Sequence, residues 1–262
     1  MDLPFDPLLF SIALFIGMLL SLEAGWRIGR RKQAGTGQAA PAEAGTGAVE
    51  GAVFALFGLL LAFAFSGATD RFDHRRELIT QEANAIGTAY LRLDLLPAER
   101  QAVLKTLMRQ YVQARLDTYA SIGDKAAVAR AFSESQRLQT AIWQGATSAI
   151  AQAGTPVLAG VVLPPLNDMF DITTTRLAAS HTHPPRVIYG MLFVLALVAS
   201  MLAGHAMASG PRRPRLHIVA FALIVTATVY VTMDIEVPRQ GLIRVDGSDQ
   251  LLRDTLQGMQ PH

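Results

Sequence analysis

One stretch of this sequence carries most of its usable chemistry. Asp70, His74, Glu77, Gln81, Asn84 and Thr88 recur in steps of four and three, so a helix would set them on one face. Carboxylates and an imidazole in such a file can pair locally, Asp70 with His74 and His74 with Glu77, and make a solvated face. They can also line a water-filled path, where acidic side chains favour cations. Traced backwards, the same line becomes Gly67, Phe63, Leu60, Leu56 and Val53, wholly apolar. In a ring of identical helices, Leu56, Leu60 and Phe63 would form an apolar constriction. Asp70, His74, Glu77, Gln81 and Asn84 would form a polar vestibule at its outer end. Hydrophobic constrictions gate by dewetting. Arg71 and Arg75 lie one position over, which leaves an anion-attracting surface open as well.

A second group is suited to structural ion pairs. Arg71, Arg75 and Arg76 follow one apolar stretch, and Asp234, Glu236 and Arg239 follow another. Cross-pairing between them would lock the two stretches together. The pair His181 and His183, with Asp168 and Asp171 as partners, is too sparse to imply a metal site. His205 and His217 lie near the ends of apolar runs, where an interfacial imidazole is ordinary. Glu23 is placed to pair with Arg27 or Arg30.

The chain has no cysteine, which removes thiol catalysis, cysteine-ligated zinc and iron–sulfur clusters. No nucleophile–base constellation, phosphate-binding loop or dinucleotide fingerprint occurs. The sequence therefore argues against an enzyme and calls for no cofactor. A net charge of +2 and a pI of about 9.1 are too mild to imply nucleic acid.

These residues must be positioned by a chain of 262 residues, 51% hydrophobic and 17% charged, with a mean hydropathy of +0.29. The average hides a sharp division. Four stretches approach the ~20 apolar residues that cross a bilayer: Leu8 to Trp26, Val49 to Thr69, Val187 to Ala208 and Leu216 to Met233. Between the second and third, residues 70–185 hold 12 Lys/Arg against 11 Asp/Glu, an ordinary water-soluble balance. The start lacks Lys or Arg, and positive charge follows the first stretch, so it reads as a retained anchor and not a cleaved leader. The boundaries expected are a first transmembrane helix with its basic flank at 1–32 and a flexible Gly/Ala/Thr-rich linker at 33–48. A second transmembrane helix follows at 49–69 and an extramembrane helical domain at 70–185. The third transmembrane helix is at 186–209, a basic loop with the fourth at 210–233, and an extramembrane tail at 234–262. Arg27, Arg30, Arg31 and Lys32 place the first loop inside, and Arg212, Arg213 and Arg215 place the last loop inside. Both termini and the helical domain then lie outside, in the periplasm of a bacterial inner membrane.

Within residues 70–185, Pro97 separates two helices, Asp124 is the expected N-cap of a third, and Pro164-Pro165 should interrupt or kink a fourth. Ser248 should open a short amphipathic helix to about Gln257. Nothing between Val49 and Leu95 breaks a helix. One continuous helix of roughly 70 Å follows, at ~1.5 Å per residue. A second stripe on it, from Phe54 through Leu61, Phe72 and Ile79 to Leu93, is nearly all apolar and should face neighbouring helices. Small residues recur at every fourth position at Ala196, Ser200, Gly204 and Ala208, and again at Gly58, Ala62 and Ser66, which permits close helix packing.

The run Phe57-Gly-Leu-Leu-Leu-Ala-Phe-Ala-Phe-Ser-Gly-Ala, then Asp70-Arg-Phe-Asp-His-Arg-Arg-Glu-Leu-Ile, then Glu82-Ala-Asn-Ala-Ile-Gly-Thr-Ala-Tyr-Leu-Arg-Leu resembles the bestrophin-like domain family of bacterial membrane proteins. So does Asp234-Ile-Glu-Val-Pro-Arg-Gln-Gly-Leu-Ile-Arg-Val. The resemblance implies two spans, a helical domain and two more spans. It also implies a pentamer whose second span lines an ion pathway through an apolar neck. Leu56, Leu60 and Phe63 are the neck-like positions. Two departures stand beside it. Bestrophins keep the helical domain in the cytosol, and this chain has no acidic run like their calcium clasp. The expected fold is thus an all-α membrane protein with four transmembrane helices. A helical extramembrane domain lies between the second and third, and the second helix runs unbroken into it. The expected function is an oligomeric ion channel, with the lipid bilayer, further copies of the chain and an ion of unknown identity as its partners. A non-conducting scaffold or sensor whose helical domain binds a partner is the rival. A transporter would need inverted repeats or broken spans, and neither is evident.

Overall fold

The computed structural model describes residues 6–36, 46–121, 123–208, 215–239 and 241–260. Among these the chain is all helical. Its α-helices are α1 (Pro7–Thr36), α2 (Thr46–Arg92), α3 (Ala98–Ala120), α4 (Lys125–Ala153), α5 (Val157–His181), α6 (Arg186–Met207), α7 (Arg215–Ile235) and α8 (Gln250–Gly258). Most of the expected linker, and Arg212 and Arg213 of the expected basic loop, lie outside the described residues.

Local chemistry sets the ends. Asp6 caps α1, its Oδ1 accepting from the Leu8 and Leu9 N–H groups at 2.8 and 3.1 Å. Asp124 does the same for α4 through the N–H groups of Ala126 and Ala127. Gly154 closes α4 in the left-handed conformation, φ 63°, where a side chain would be strained. The second helix stops earlier than expected. It gives way at Arg92 to a 3₁₀ turn, Leu93–Leu95, because Pro97 disfavours helical geometry just before it. At the C-terminus a 3₁₀ turn, Asp246–Asp249, precedes α8, so Asp249 and not Ser248 stands at its start.

Pro164-Pro165 does not interrupt the helix: α5 continues through both prolines. Pro164 lies on the exposed side, so the Gly160 carbonyl, which loses its helical donor to the proline, is on the solvent-facing side of the helix. On the opposite side Val162, Leu166 and Met169 are completely buried and tie the helix to its neighbours.

The chain divides into two compact units: residues 1–71 with 183–237, and residues 72–182 with 238–262. In the first, α1 packs along α6 and α7. Its core is Leu14, Met18 and Leu22 against Tyr189, Leu192, Ala196, Ala222 and Val229. Among the described residues four helices are long and apolar enough to cross a membrane. The Ala196, Ser200, Gly204 and Ala208 ladder is buried, and Gly25 and Gly29 on α1 are its counterparts. A Cβ on Gly25 would collide with the Met201 carbonyl, and one on Gly204 with that of Leu22. Gly25→Val or Gly204→Val is therefore expected to destabilise the protein by at least ~1–3 kcal/mol through overpacking. Gly190→Ala, which adds a methyl in open space, is expected to be neutral or stabilising. Thermal unfolding of the purified variants checks this.

In the second unit α3 packs on α4, α4 on α5 and α8 on α3, and the buried face of the C-terminal half of α2 joins their core. Ile86, Leu93, Met108, Tyr111, Leu138, Ile142, Val162 and Met169 form a continuous apolar core.

Candidate functional site

The file of residues singled out on α2 lies on one uninterrupted helix of 47 residues. In the first unit, Phe63 and Leu56 are 65% and 54% exposed, while Leu60 is half-buried against the bundle core. The helix turns Phe57 inward there, and Leu60 lies one turn along the same side. Only 6% of the apolar window of α2 is buried, against 50% for α7 and 28% for the window in α1. The small-residue series Gly58, Ala62 and Ser66 is exposed too. An apolar helix that leaves this much of its surface unused by its own unit has that surface available for something else.

Asp70 is exposed at the end of the apolar run. In the second unit His74, Glu77, Gln81 and Asn84 continue the line, all exposed. Gln81 Nε2 donates to Glu77 Oε1 at 3.1 Å. The apolar stripe is buried from Ala68 through Ile79, Ala83 and Ile86 to Leu93, with Arg76 exposed among them.

The expected structural ion pairs fall as follows. Arg71 Nε and Nη2 both donate to Glu236 Oε1, at 2.8 and 2.5 Å. Glu236 is completely buried, and its other oxygen lies 3.5 Å from His183 Nδ1. Asp234 is buried and accepts from the Tyr230 hydroxyl at 3.2 Å. Arg75 is buried and donates to the carbonyls of Ala179 and Thr182, at 3.2 and 2.9 Å, so it caps the end of α5. Arg76 lies on the surface 3.5 Å from Asp73. Arg239 grips Asp249 with two nitrogens, at 2.6 and 2.9 Å.

Sequence reasoning missed a buried charge cluster in the second unit. Glu82 is completely buried in the second unit and accepts from Arg115 Nε at 2.7 Å, from Arg176, and from the Tyr119 hydroxyl at 3.0 Å. The guanidinium carbons of Arg176, Arg239 and Arg115 lie 4.0, 4.8 and 4.9 Å from the Tyr119 ring centre. Burial pushes the Tyr119 hydroxyl up and the Glu82 charge adds to it, outweighing Arg115 and Arg176, so Tyr119 keeps its proton and donates it. Tyr111, deeper in the same core, is pushed up to about 12, first by burial. A signal for this cluster exists in the sequence. Glu82 sits at i+3 from Ile79 and i−4 from Ile86, a charged residue in the middle of a core-facing heptad line.

No group of three or more metal-ligating side chains occurs among the described residues. No curated protein matches the chain. Solved structures with the same architecture do. A variant of a bacterial bestrophin homologue from Klebsiella pneumoniae superposes with a TM-score of 0.64 at 15% identity, covering 97% of this chain and 99% of that one. A second variant of that homologue gives 0.66 at 14% identity, with 95% and 98% covered. At such identities the likeness is one of fold. The model of the bestrophin-like domain matches residues 15–249, almost the whole chain. With four membrane-crossing helices and that match, this chain is an integral membrane protein and belongs to the bestrophin-like family.

Proposed function

We propose that this chain is the subunit of a homo-oligomeric ion channel in which α2 lines the conduction path. The carrying observation is the exposed apolar surface of α2, with Leu56 and Phe63 open, on the same unbroken helix as the exposed polar file from Asp70 to Asn84. An assembly of several copies about one axis would cover this surface and convert it into a lined path. Family membership supports the reading, and a pentamer is the state the resemblance implies. In that assembly Phe63 and Leu56 form the narrow apolar gate, with Leu60 behind them. Asp70, His74, Glu77, Gln81 and Asn84 form a hydrated vestibule.

Orientation follows from Arg27, Arg30, Arg31 and Lys32, which hold the first loop on the cytoplasmic side of a bacterial inner membrane and set the helical domain in the periplasm. Arg71, Arg75 and Arg76 do not oppose this strongly, because each is engaged by a carboxylate or by carbonyl oxygens.

Purified protein in planar bilayers tests the proposal. Phe63→Ala is expected to raise conductance by widening and wetting the constriction. In the otherwise cysteine-free chain, His74→Cys is expected to let a charged thiol reagent block current from the side bearing the helical domain. Wild type and Phe63→Ala both silent across pH and salt composition, or a monomeric protein in mild detergent, would overturn it and favour the scaffold or sensor.

A further inference from the structure

The second unit contains a cavity of about 590 Å³ between the C-terminal half of α3 and the segment 239–257. That volume falls within the ~300–1,000 Å³ of small-molecule sites. Its lining is uneven in charge, with Arg239, Arg244 and Arg253 against Asp117 and Asp249. Both acids are engaged. Asp249 takes the fork of Arg239 at 2.6 and 2.9 Å, and Asp117 accepts from Gln113 Nε2 at 2.8 Å. Leu116 and Leu256 contribute an apolar wall. Tyr119 also lines the cavity, with Arg115, Arg176 and Arg239 around its ring and Glu82 as the one carboxylate between Arg115 and Arg176, so the balance on this side stays positive by one charge after Asp249 is counted against Arg239. Arg244 and Arg253 are exposed, and each is tied to its own segment through Nε: Arg244 to the Gly241 carbonyl at 3.0 Å and Arg253 to Gln250 Oε1 at 2.9 Å.

We propose that this cavity binds a small oxyanion-bearing organic molecule, its carboxylate or phosphate held by Arg244 and Arg253. The guanidinium fork matches both head groups in two-pronged fashion. An apolar portion of the ligand lies against Leu116 and Leu256. A ligand seated there spans α3 and the C-terminal segment. That segment is otherwise held by the buried Leu252, and by the Tyr90 hydroxyl and Arg109 donating to the Met259 carbonyl at 2.9 and 3.3 Å. Binding therefore strengthens the docking of residues 238–260 by mass action. The site is independent of whether the protein conducts.

The test uses the full-length protein in detergent with three probes, citrate, inorganic phosphate and ATP, each against sodium chloride of equal ionic strength. At least one probe is expected to raise the melting temperature saturably by a few degrees. The same probe should slow hydrogen exchange in residues 238–260. Arg244→Gln with Arg253→Gln should lose the shift, each melting temperature being read against that of the same variant without probe. Gln113→Leu, on the opposite wall, keeps the test open if the double variant folds poorly, and it should weaken the shift. Absence of a saturable effect from all three probes, or an equal shift in the variants, overturns the proposal; a shift from citrate alone or from a phosphate compound alone supports it and identifies the head group.

Discussion

Glu82→Gln is expected to lower the melting temperature of the purified protein by about 10 °C, the equivalent of ~3–5 kcal/mol for breaking a buried ion pair on one side. Glutamine has nearly the volume of glutamate, so packing is kept and only the charge is lost. What it leaves behind is expensive. Arg115, with a side chain 3% exposed, and Arg176, 9% exposed, would face each other across Tyr119 with no buried carboxylate between them. Two desolvated guanidiniums would then repel. Replacing Glu82, Arg115 and Arg176 together by Leu, Met and Met should cost less than Glu82→Gln alone, because no unpaired charge remains in the core. Glu134→Gln is the control. Its partner Arg137 lies 2.7 Å away but both are on the surface, where such a pair contributes little, and no measurable loss is expected. A triple variant no more stable than Glu82→Gln would mean that the network acts through shape and not through charge.

The contrast between Glu82 and the membrane helices shows what a sequence discloses. A bilayer demands ~20 apolar residues in a row, and this constraint is local, so the four spans are written plainly in composition. The continuity of α2 is equally local, since it needs only the absence of proline between Thr46 and Arg92. The Leu56-to-Asn84 file is a periodicity, legible for the same reason. The Glu82 network is different in kind. Its arginines stand 33 and 94 positions away in the chain, brought together only by the packing of α2, α3 and α5. The apolar stripe traced from Ile79 to Ala83 and Ile86 passes beside Glu82, and reading the line one residue over would have exposed it. The interruption expected at Pro164-Pro165 does not occur for the opposite reason: a strong local rule is overridden by the buried Val162, Leu166 and Met169, which hold α5 to its neighbours. The C-terminal cavity could not be read at all, because Gln113, Leu116 and Arg253 share no pattern until the tail folds back on α3.

Arg71→Met is expected to destabilise the first unit by about 3 kcal/mol, because it removes two charged donors from a buried carboxylate, Glu236. That carboxylate is completely buried, and Arg71 supplies two donors to one of its oxygens. Arg71→Lys should recover only part of the loss, since an ammonium cannot reproduce the two-pronged donation of a guanidinium. Glu236→Gln with Arg71→Met should be milder than the sum of the single changes, the coupling reporting the pair itself. This pair has a consequence beyond stability. α2 is the least buried of the candidate spans, and Arg71 joins its apolar run to the chain just after α7. If α2 lines a conduction path, loosening that tether lets the constriction move without touching Leu56 or Phe63. Single-channel records of Arg71→Met should then show briefer openings or added subconductance levels relative to Arg71→Lys, while Glu82→Gln, at comparable loss of stability, should leave the open-channel current level unchanged. Identical gating in Arg71→Met and wild type would confine the Arg71–Glu236 pair to a purely structural role.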